Sequence, residues 1–254
     1  MSLLPFKLIV TPILIVATSL VARRWGPKLG GLLAGLPLTS APVSVFLAIE
    51  QGLPFAAQAA LGTLVGVASV GTFCLAYSMT ARHRGWRLCT IAGIACFLLV
   101  TATFRMFSVG LVSGATLTAS TLTAVLLALP RAVVAPPVQK PSVWDLPSRA
   151  LVATSLVLLL TGAAPFIGAQ LVGLLSPFPV FANVLAAFTH AHDGANASTL
   201  LLRGVILSSF GFAAFFLVVA WGLPVLGIAI TYSLATLAAM LISLVTYQLD
   251  RLLA

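Results

Sequence analysis

Apolar stretches of about 20 residues follow one another along nearly the whole chain, separated by short segments rich in glycine, proline or charge. A stretch of that length crosses the roughly 30 Å hydrocarbon core of a bilayer as an α-helix. The alternation of apolar and polar residues that is typical of β-barrel strands is absent. The backbone hydrogen bonds must therefore be formed within α-helices when the chain lies in lipid. Only 7% of the 254 residues are charged and 61% are hydrophobic, too little polar surface for a soluble domain. The sequence therefore predicts an all-α integral membrane protein with a single membrane domain over residues 1–254.

Nine transmembrane helices account for the apolar stretches. Their approximate ranges are 4–22, 29–49, 54–80, 87–105, 107–129, 149–164, 167–190, 197–221 and 224–248. The longest connection, 130–148, contains five prolines and is predicted to be an extended cytoplasmic linker between two halves.

The basic residues orient these helices. With nine crossings, three basic clusters and a single arginine share one side of the membrane: Arg23, Arg24 and Lys28; Arg82, Arg84 and Arg87; Arg131, Lys140 and Arg149; and Arg251. Because basic loops stay cytoplasmic, we expect a multi-pass protein of the inner (plasma) membrane with its N-terminus outside and its C-terminus inside. The net charge of +9 then reflects topology rather than nucleic-acid binding, since no basic helix lies outside the spans.

An internal repeat links the two halves. Residues 26–52 align without a gap on residues 168–194, pairing Gly26 with Gly168 and Gly52 with Gly194. The fifth span fits the ninth only at a shorter shift, which leaves the fourth without a partner. We predict repeat 1 at about 3–86 plus 107–129, a linking helix at about 87–106, and repeat 2 at about 146–248. Five crossings separate the copies, so this 4 + 1 + 4 repeat is inverted, as in many transporters.

Helices 2 and 7 are predicted to be discontinuous. Each carries two prolines at matching depth, and a proline inside a helix removes a hydrogen bond and clashes with the preceding turn. Broken helices paired by an inverted repeat indicate a transport site near the membrane midplane. The alternative is that the prolines only kink packed helices. The predicted substrate-binding residues are Pro37, Thr39, Ser40, Pro42, Ser176, Pro177, Pro179 and Asn183.

The rare ionisable residues, together with two glutamines, lie near the ends of the predicted spans, where they could gate or couple transport. This set comprises Glu50, Gln51, Gln58, His190, His192, Asp193 and Arg203. The alternative is that they are solvated residues that end helices, or, for Arg203, a structural arginine that reaches the interface. No metal site is predicted, because three neighbouring candidate ligands cannot all face one ion from a helix.

These features favour a small secondary transporter or exporter of an anionic or carboxylate-bearing solute, or of an ion, since exposed helix N-termini attract negative charge. Arg203 is a candidate counter-ion. No cofactor is expected, and coupling would use H⁺ or Na⁺. Two rivals remain open: an ion channel with the breaks as its filter, and a membrane enzyme or accessory subunit, although no catalytic motif is present. The expected partners are the lipid bilayer and a small solute, and a homodimer is left open.

Overall fold

The computed structural model describes residues 40–129 and 145–253, together with the single positions Ile9, Ile13 and Pro37. Within these ranges the elements are all helices, so the predicted all-helical fold is confirmed there. The predicted first span, apart from two positions, lies outside the described residues. The same holds for residues 29–36, 38 and 39 of the predicted second span, and therefore for Thr39, and for residues 130–144 of the predicted linker.

Six helices occupy the described part of the chain. They are α1 (Ser40–Glu50), α2 (Leu53–Ala81), α3 (Trp86–Arg105), α4 (Leu111–Ala128), α5 (Asp145–Leu175) and α6 (Val180–Leu253). The linker was predicted to run to residue 148, but α5 already begins at Asp145. Pro147 is compatible with this earlier start, because the N–H groups in the first turn of a helix have no intrahelical acceptor and a proline there removes no hydrogen bond.

Two of these helices are interrupted by single glycines. Gly168 (φ 80°) divides α5, and Gly194 (φ 87°) and Gly227 (φ 71°) divide α6. Only glycine adopts such a φ without steric cost, so each residue ends one helical piece and starts the next without a loop. We call the pieces α5a (145–167), α5b (169–175), α6a (180–193), α6b (195–226) and α6c (228–253).

Helix α2 forms the centre of the described bundle and packs against each of the other five helices. Nineteen of its 29 residues are buried, and many of them are alanine, glycine or serine. Small side chains let neighbouring backbones approach closely, which is how helices pack in the absence of a hydrophobic driving force.

Helices α3 and α4 each bury only one narrow face, which packs against the central helix α2. The buried residues of α3 recur every fourth position, at Cys89, Gly93, Phe97 and Thr101, and therefore line one side of the helix. The opposite side exposes large apolar residues such as Leu99, which is 69% exposed. An apolar exterior over a core of small residues suits hydrocarbon rather than water.

The hydroxyl groups of α4 do not all behave as the sequence suggests. Thr116, Ser120 and Thr123 share a face that could line a path or bond across helices, but they donate to carbonyl groups of their own helix. The hydroxyl that crosses to a neighbour is Thr118, which donates to the carbonyl of Leu64 in α2 at 2.8 Å.

Five helical segments of the described chain are long and apolar enough to cross a membrane. They are Leu53–Ala81, Trp86–Arg105, Leu111–Ala128, Val157–Leu175 and Gly194–Asp250, the last two of which contain the breaks at Gly168 and Gly227. Over its described residues the protein is thus all-helical and carries apolar helical segments typical of an integral membrane protein.

Candidate functional site

The two predicted helix breaks lie against each other. The hydroxyl of Ser40, the first residue of α1, donates to the main-chain carbonyl of Ser176 at 2.9 Å. Ser176 follows directly after α5b and opens the non-helical connection 176–179, which leads to α6a. Both serines are buried, with 0% and 2% of their surface exposed. This hydrogen bond therefore joins residues 136 positions apart in the interior.

The position of Gly66 along α2 shows how deep the contact between Ser40 and Ser176 lies. A Cβ built on Gly66 would lie 2.9 Å from Cγ of Pro177 and 2.7 Å from the carbonyl oxygen of Leu174. Gly66 is near the middle of α2, about 20 Å from each end at 1.5 Å per residue. The 176–179 connection thus crosses α2 half-way along its length. We call the region around Ser40, Ser176, Pro177 and the start of α6a the crossing.

Two helices begin at the crossing and leave it in opposite directions. Helix α1 leads to the start of α2 through Gly52, whereas α6a runs toward the end of α2, where His190 meets Tyr77. The first N–H groups of any helix lack intrahelical partners, and the dipole is positive at that end. Two such N-termini therefore direct positive potential into the crossing.

The prolines of the crossing fit this arrangement. Pro37 is buried and non-helical, and its carbonyl accepts from the N–H of Ala41 at 2.7 Å. Pro42 lies in the first turn of α1, where a proline does not break a helix. Pro179 is buried, and its carbonyl accepts from the N–H of Asn183 at 2.9 Å in the first turn of α6a.

Two polar atoms near the crossing have no hydrogen-bond partner. They are Oγ of Ser176 and Oδ1 of Asn183, both buried. A buried polar atom without a partner costs about 1–3 kcal/mol, so such atoms call for a ligand or a water molecule. Ser176 opens the 176–179 connection and Asn183 lies in the first turn of α6a, so both unpaired atoms belong to the segment that crosses α2.

The predicted gating residues lie at the two ends of α2. Glu50 is exposed at the end of α1, and Gln51 follows it before Leu53 opens α2. At the other end, Nδ1 of His190 lies 3.5 Å from the hydroxyl of Tyr77. His192 and Asp193 belong to α6a, immediately before Gly194; their side chains lie outside the described part of the structure. The two sets are therefore separated by most of the length of α2.

Gln58 borders a small cavity of about 100 Å³ on the Glu50 side of the crossing. Gln170 and Ser108 are also in its lining, and the amide of Gln170 donates to the carbonyl of Phe107 at 2.9 Å. Leu174, which contacts Gly66, closes the cavity toward the crossing. A space of this size holds a few water molecules.

Arg203 is away from the crossing. Its guanidinium donates to the carbonyls of Leu126 and Leu129 at 2.9 and 3.3 Å and to the carboxylate of Asp250 at 2.7 Å. It shares a cavity with Arg82, which lies about 24 Å along the axis of α2 from Gly66. The structure thus gives Arg203 a role in joining α4, α6b and α6c, and does not bring it to the other candidate residues.

Several polar contacts were not foreseen from the sequence. Tyr77 partners His190, Asp250 partners Arg203, and the hydroxyls of Ser44 and Tyr232 lie 2.6 Å apart, joining α1 to α6c. The rarity of acidic residues was the available signal for Asp250, because a buried arginine needs a counter-ion and the chain holds only four Asp and Glu.

Among the described residues, no three His, Cys, Asp or Glu side chains lie together in a group that could hold a metal ion. Comparison with known proteins adds no constraint: no family model, curated protein or solved structure matches this chain.

Proposed function

We propose that this protein is a small secondary transporter that moves an anionic or carboxylate-bearing solute across the inner membrane. The observation that carries the proposal is the hydrogen bond from Ser40 to Ser176, because it joins the start of α1 to the non-helical connection 176–179 at the mid-depth of α2. Interrupted backbone is tolerated at membrane depth only inside protein or beside a water-filled cavity, and transporters place their sites there.

The chemistry of the crossing supports a negatively charged solute. The N-termini of α1 and α6a contribute positive potential from the helix dipoles. Ser176 can donate its hydroxyl, and Asn183 can turn its amide to present N–H groups. No acidic side chain is among the residues that form the crossing contacts, so nothing there repels an anion.

The proposal includes nine crossings and an inverted repeat, with helices 2 and 7 discontinuous. Gly52 and Gly194, which the repeat pairs, both have positive φ, at 89° and 87°. Each separates a helix that starts at the crossing from the helix that follows it. The equivalent helices α1 and α6a lead to opposite ends of α2, which is the relation expected of inverted copies.

In this scheme the polar contacts on either side of the crossing act as gates. Ser44 and Tyr232 close the side of Glu50, while Tyr77 with His190 and Arg203 with Asp250 close the other. Breaking one set while the other persists would open the crossing to one side at a time. Protons at Glu50 or His190, or Na⁺ held by main-chain carbonyls, would couple the movement.

The test is uptake into proteoliposomes that contain the purified protein and a proton or sodium gradient. Radiolabelled acetate, lactate, glutamate, succinate, phosphate and chloride are the probes. We expect saturable uptake of one of these classes, and Asn183→Ala should raise its KM about tenfold or more, since a hydrogen bond to a charged group contributes about 1.5–3 kcal/mol. Asn196→Ala, at an exposed position of α6b, is the matched control and should behave as the wild type.

Large unitary currents would contradict the transporter and favour a channel. A folded protein that is inert to every probe and gradient would favour the enzyme or accessory-subunit alternative. Equal KM for Asn183→Ala and Asn196→Ala would remove the crossing as the site while leaving transport intact.

A further inference from the structure

A second cavity lies far from the crossing, beside the end of α2 that carries Arg82. It has a volume of about 730 Å³ and is bounded by the last two turns of α4, by α6b and by the end of α6c. Its walls are mostly apolar and include Leu126, Leu207, Phe210 and Leu249. We call this cavity the α4–α6 groove.

The edges of the α4–α6 groove carry exposed apolar side chains, as the lipid-facing surface of a membrane protein does. Leu127 is 75% exposed and Leu249 is 52% exposed, and both belong to its lining. In a bilayer, exposed side chains of this kind are covered by lipid chains. The groove has the volume of a typical small-ligand pocket, which is enough for part of an acyl chain.

The charge in the α4–α6 groove is positive at one end. Arg203 is neutralised by Asp250, with which it forms an ion pair of 2.7 Å. Arg82 is exposed, and the described side chains include no acidic partner for it. Arg84 and Arg87 follow two and five positions later, so Arg82 is the groove's contribution to a larger basic edge.

We propose that the α4–α6 groove binds a phospholipid with an anionic headgroup, with the phosphate at Arg82 and an acyl chain between α4 and α6. Basic residues beside apolar helices attract anionic lipids, and basic pockets between helices hold their headgroups. Asp250 keeps the headgroup away from Arg203 by like-charge repulsion. A soluble phosphate would gain the contact with Arg82 alone, whereas a lipid also covers the apolar walls.

The charge contact is tested by native mass spectrometry of the detergent-solubilised protein. Phosphatidylglycerol and phosphatidylcholine with identical acyl chains are the probes. We expect the wild type to prefer phosphatidylglycerol and Arg82→Gln to weaken that binding about fivefold, which corresponds to about 1 kcal/mol. Arg84→Gln removes the same charge from the same loop without touching the groove, and should leave the binding within a factor of two.

The apolar contact is tested by filling the groove. Leu249→Trp should reduce phosphatidylglycerol binding, whereas Leu241→Trp, at a position of α6c that is also exposed and lies outside the groove, should not. The proposal is overturned by equal binding of the two lipids, by equal effects of Arg82→Gln and Arg84→Gln, or by full competition from inorganic phosphate.

Discussion

Ser40 and Ser176 are two buried serines that touch and yet differ in what their hydroxyls do. Ser40 Oγ donates to a carbonyl, whereas Ser176 Oγ has no partner. The first hydroxyl forms a contact within the fold, and the second is the one that we propose binds the solute. The sequence identified both residues as polar positions at the breaks, but it could not assign these separate roles, because the roles depend on which atoms face each other across 136 residues.

This difference predicts opposite effects of the same substitution. Ser40→Ala removes a buried hydrogen bond and leaves the Ser176 carbonyl unpaired, which should cost about 1–3 kcal/mol. Ser176→Ala removes only an unpaired hydroxyl, so the free energy of unfolding should stay the same or rise. Thermal unfolding of the two variants in detergent measures this, with a fall of a few degrees expected for Ser40→Ala alone. A larger fall for Ser176→Ala would mean that its hydroxyl is already satisfied in the folded protein.

Arg203 illustrates where residue-level interpretation of the sequence was insufficient. An arginine two turns into an apolar segment is a functional candidate, and the sequence left a structural role open. The structure places its guanidinium on Asp250 and on the carbonyls at the end of α4. Because Asp250 lies 47 positions away, no local pattern reveals the pair.

At the scale of helices, glycine decides how closely the elements approach. The spacing of Gly62 and Gly66 indicates close helix contact inside the protein, and this is confirmed: both face the 170–177 segment. By contrast, of the three glycines that break α5 and α6, only Gly194 was expected in a linker, whereas Gly168 and Gly227 were predicted to lie inside spans 167–190 and 224–248. Each is a single residue of positive φ, and the sequence does not distinguish such a glycine from one within a helix.

Gly66→Ala tests the close approach of α2 to the crossing. The added Cβ would lie within 3 Å of both Leu174 and Pro177, so the connection 176–179 must shift. We expect a loss of about 1–3 kcal/mol of stability, as for other overpacked cores. Gly85→Ala is the matched control, because its Cβ would meet nothing within 4 Å. Chemical denaturation should separate the two variants, and equal midpoints would show that α2 and the connection are not in contact.

For the whole molecule, the sequence predicted a helical membrane protein and a meeting of two breaks, and both expectations rest on patterns that lipid imposes on any chain. In the structure Ser40 and Ser176, one from each predicted break, form a hydrogen bond, while the break of helix 2 and the inverted repeat stay predictions. What remained beyond the sequence is the depth at which the breaks cross α2 and the divergence of α1 and α6a, since these follow from tertiary packing around a central helix.

In the proposed transporter the crossing is a polar site that favours anions. The most direct measurement uses the thiol introduced by Ser176→Cys, with Cys74, Cys89 and Cys96 replaced by alanine, in proteoliposomes. Its reaction rates with an anionic and a cationic methanethiosulfonate of similar size are compared with the rates for free cysteine. Two helix N-termini at this position predict that the anionic-to-cationic rate ratio exceeds that of free cysteine by at least about tenfold. A ratio at or below that of free cysteine, or a thiol that reacts from neither side of the membrane, would contradict the account.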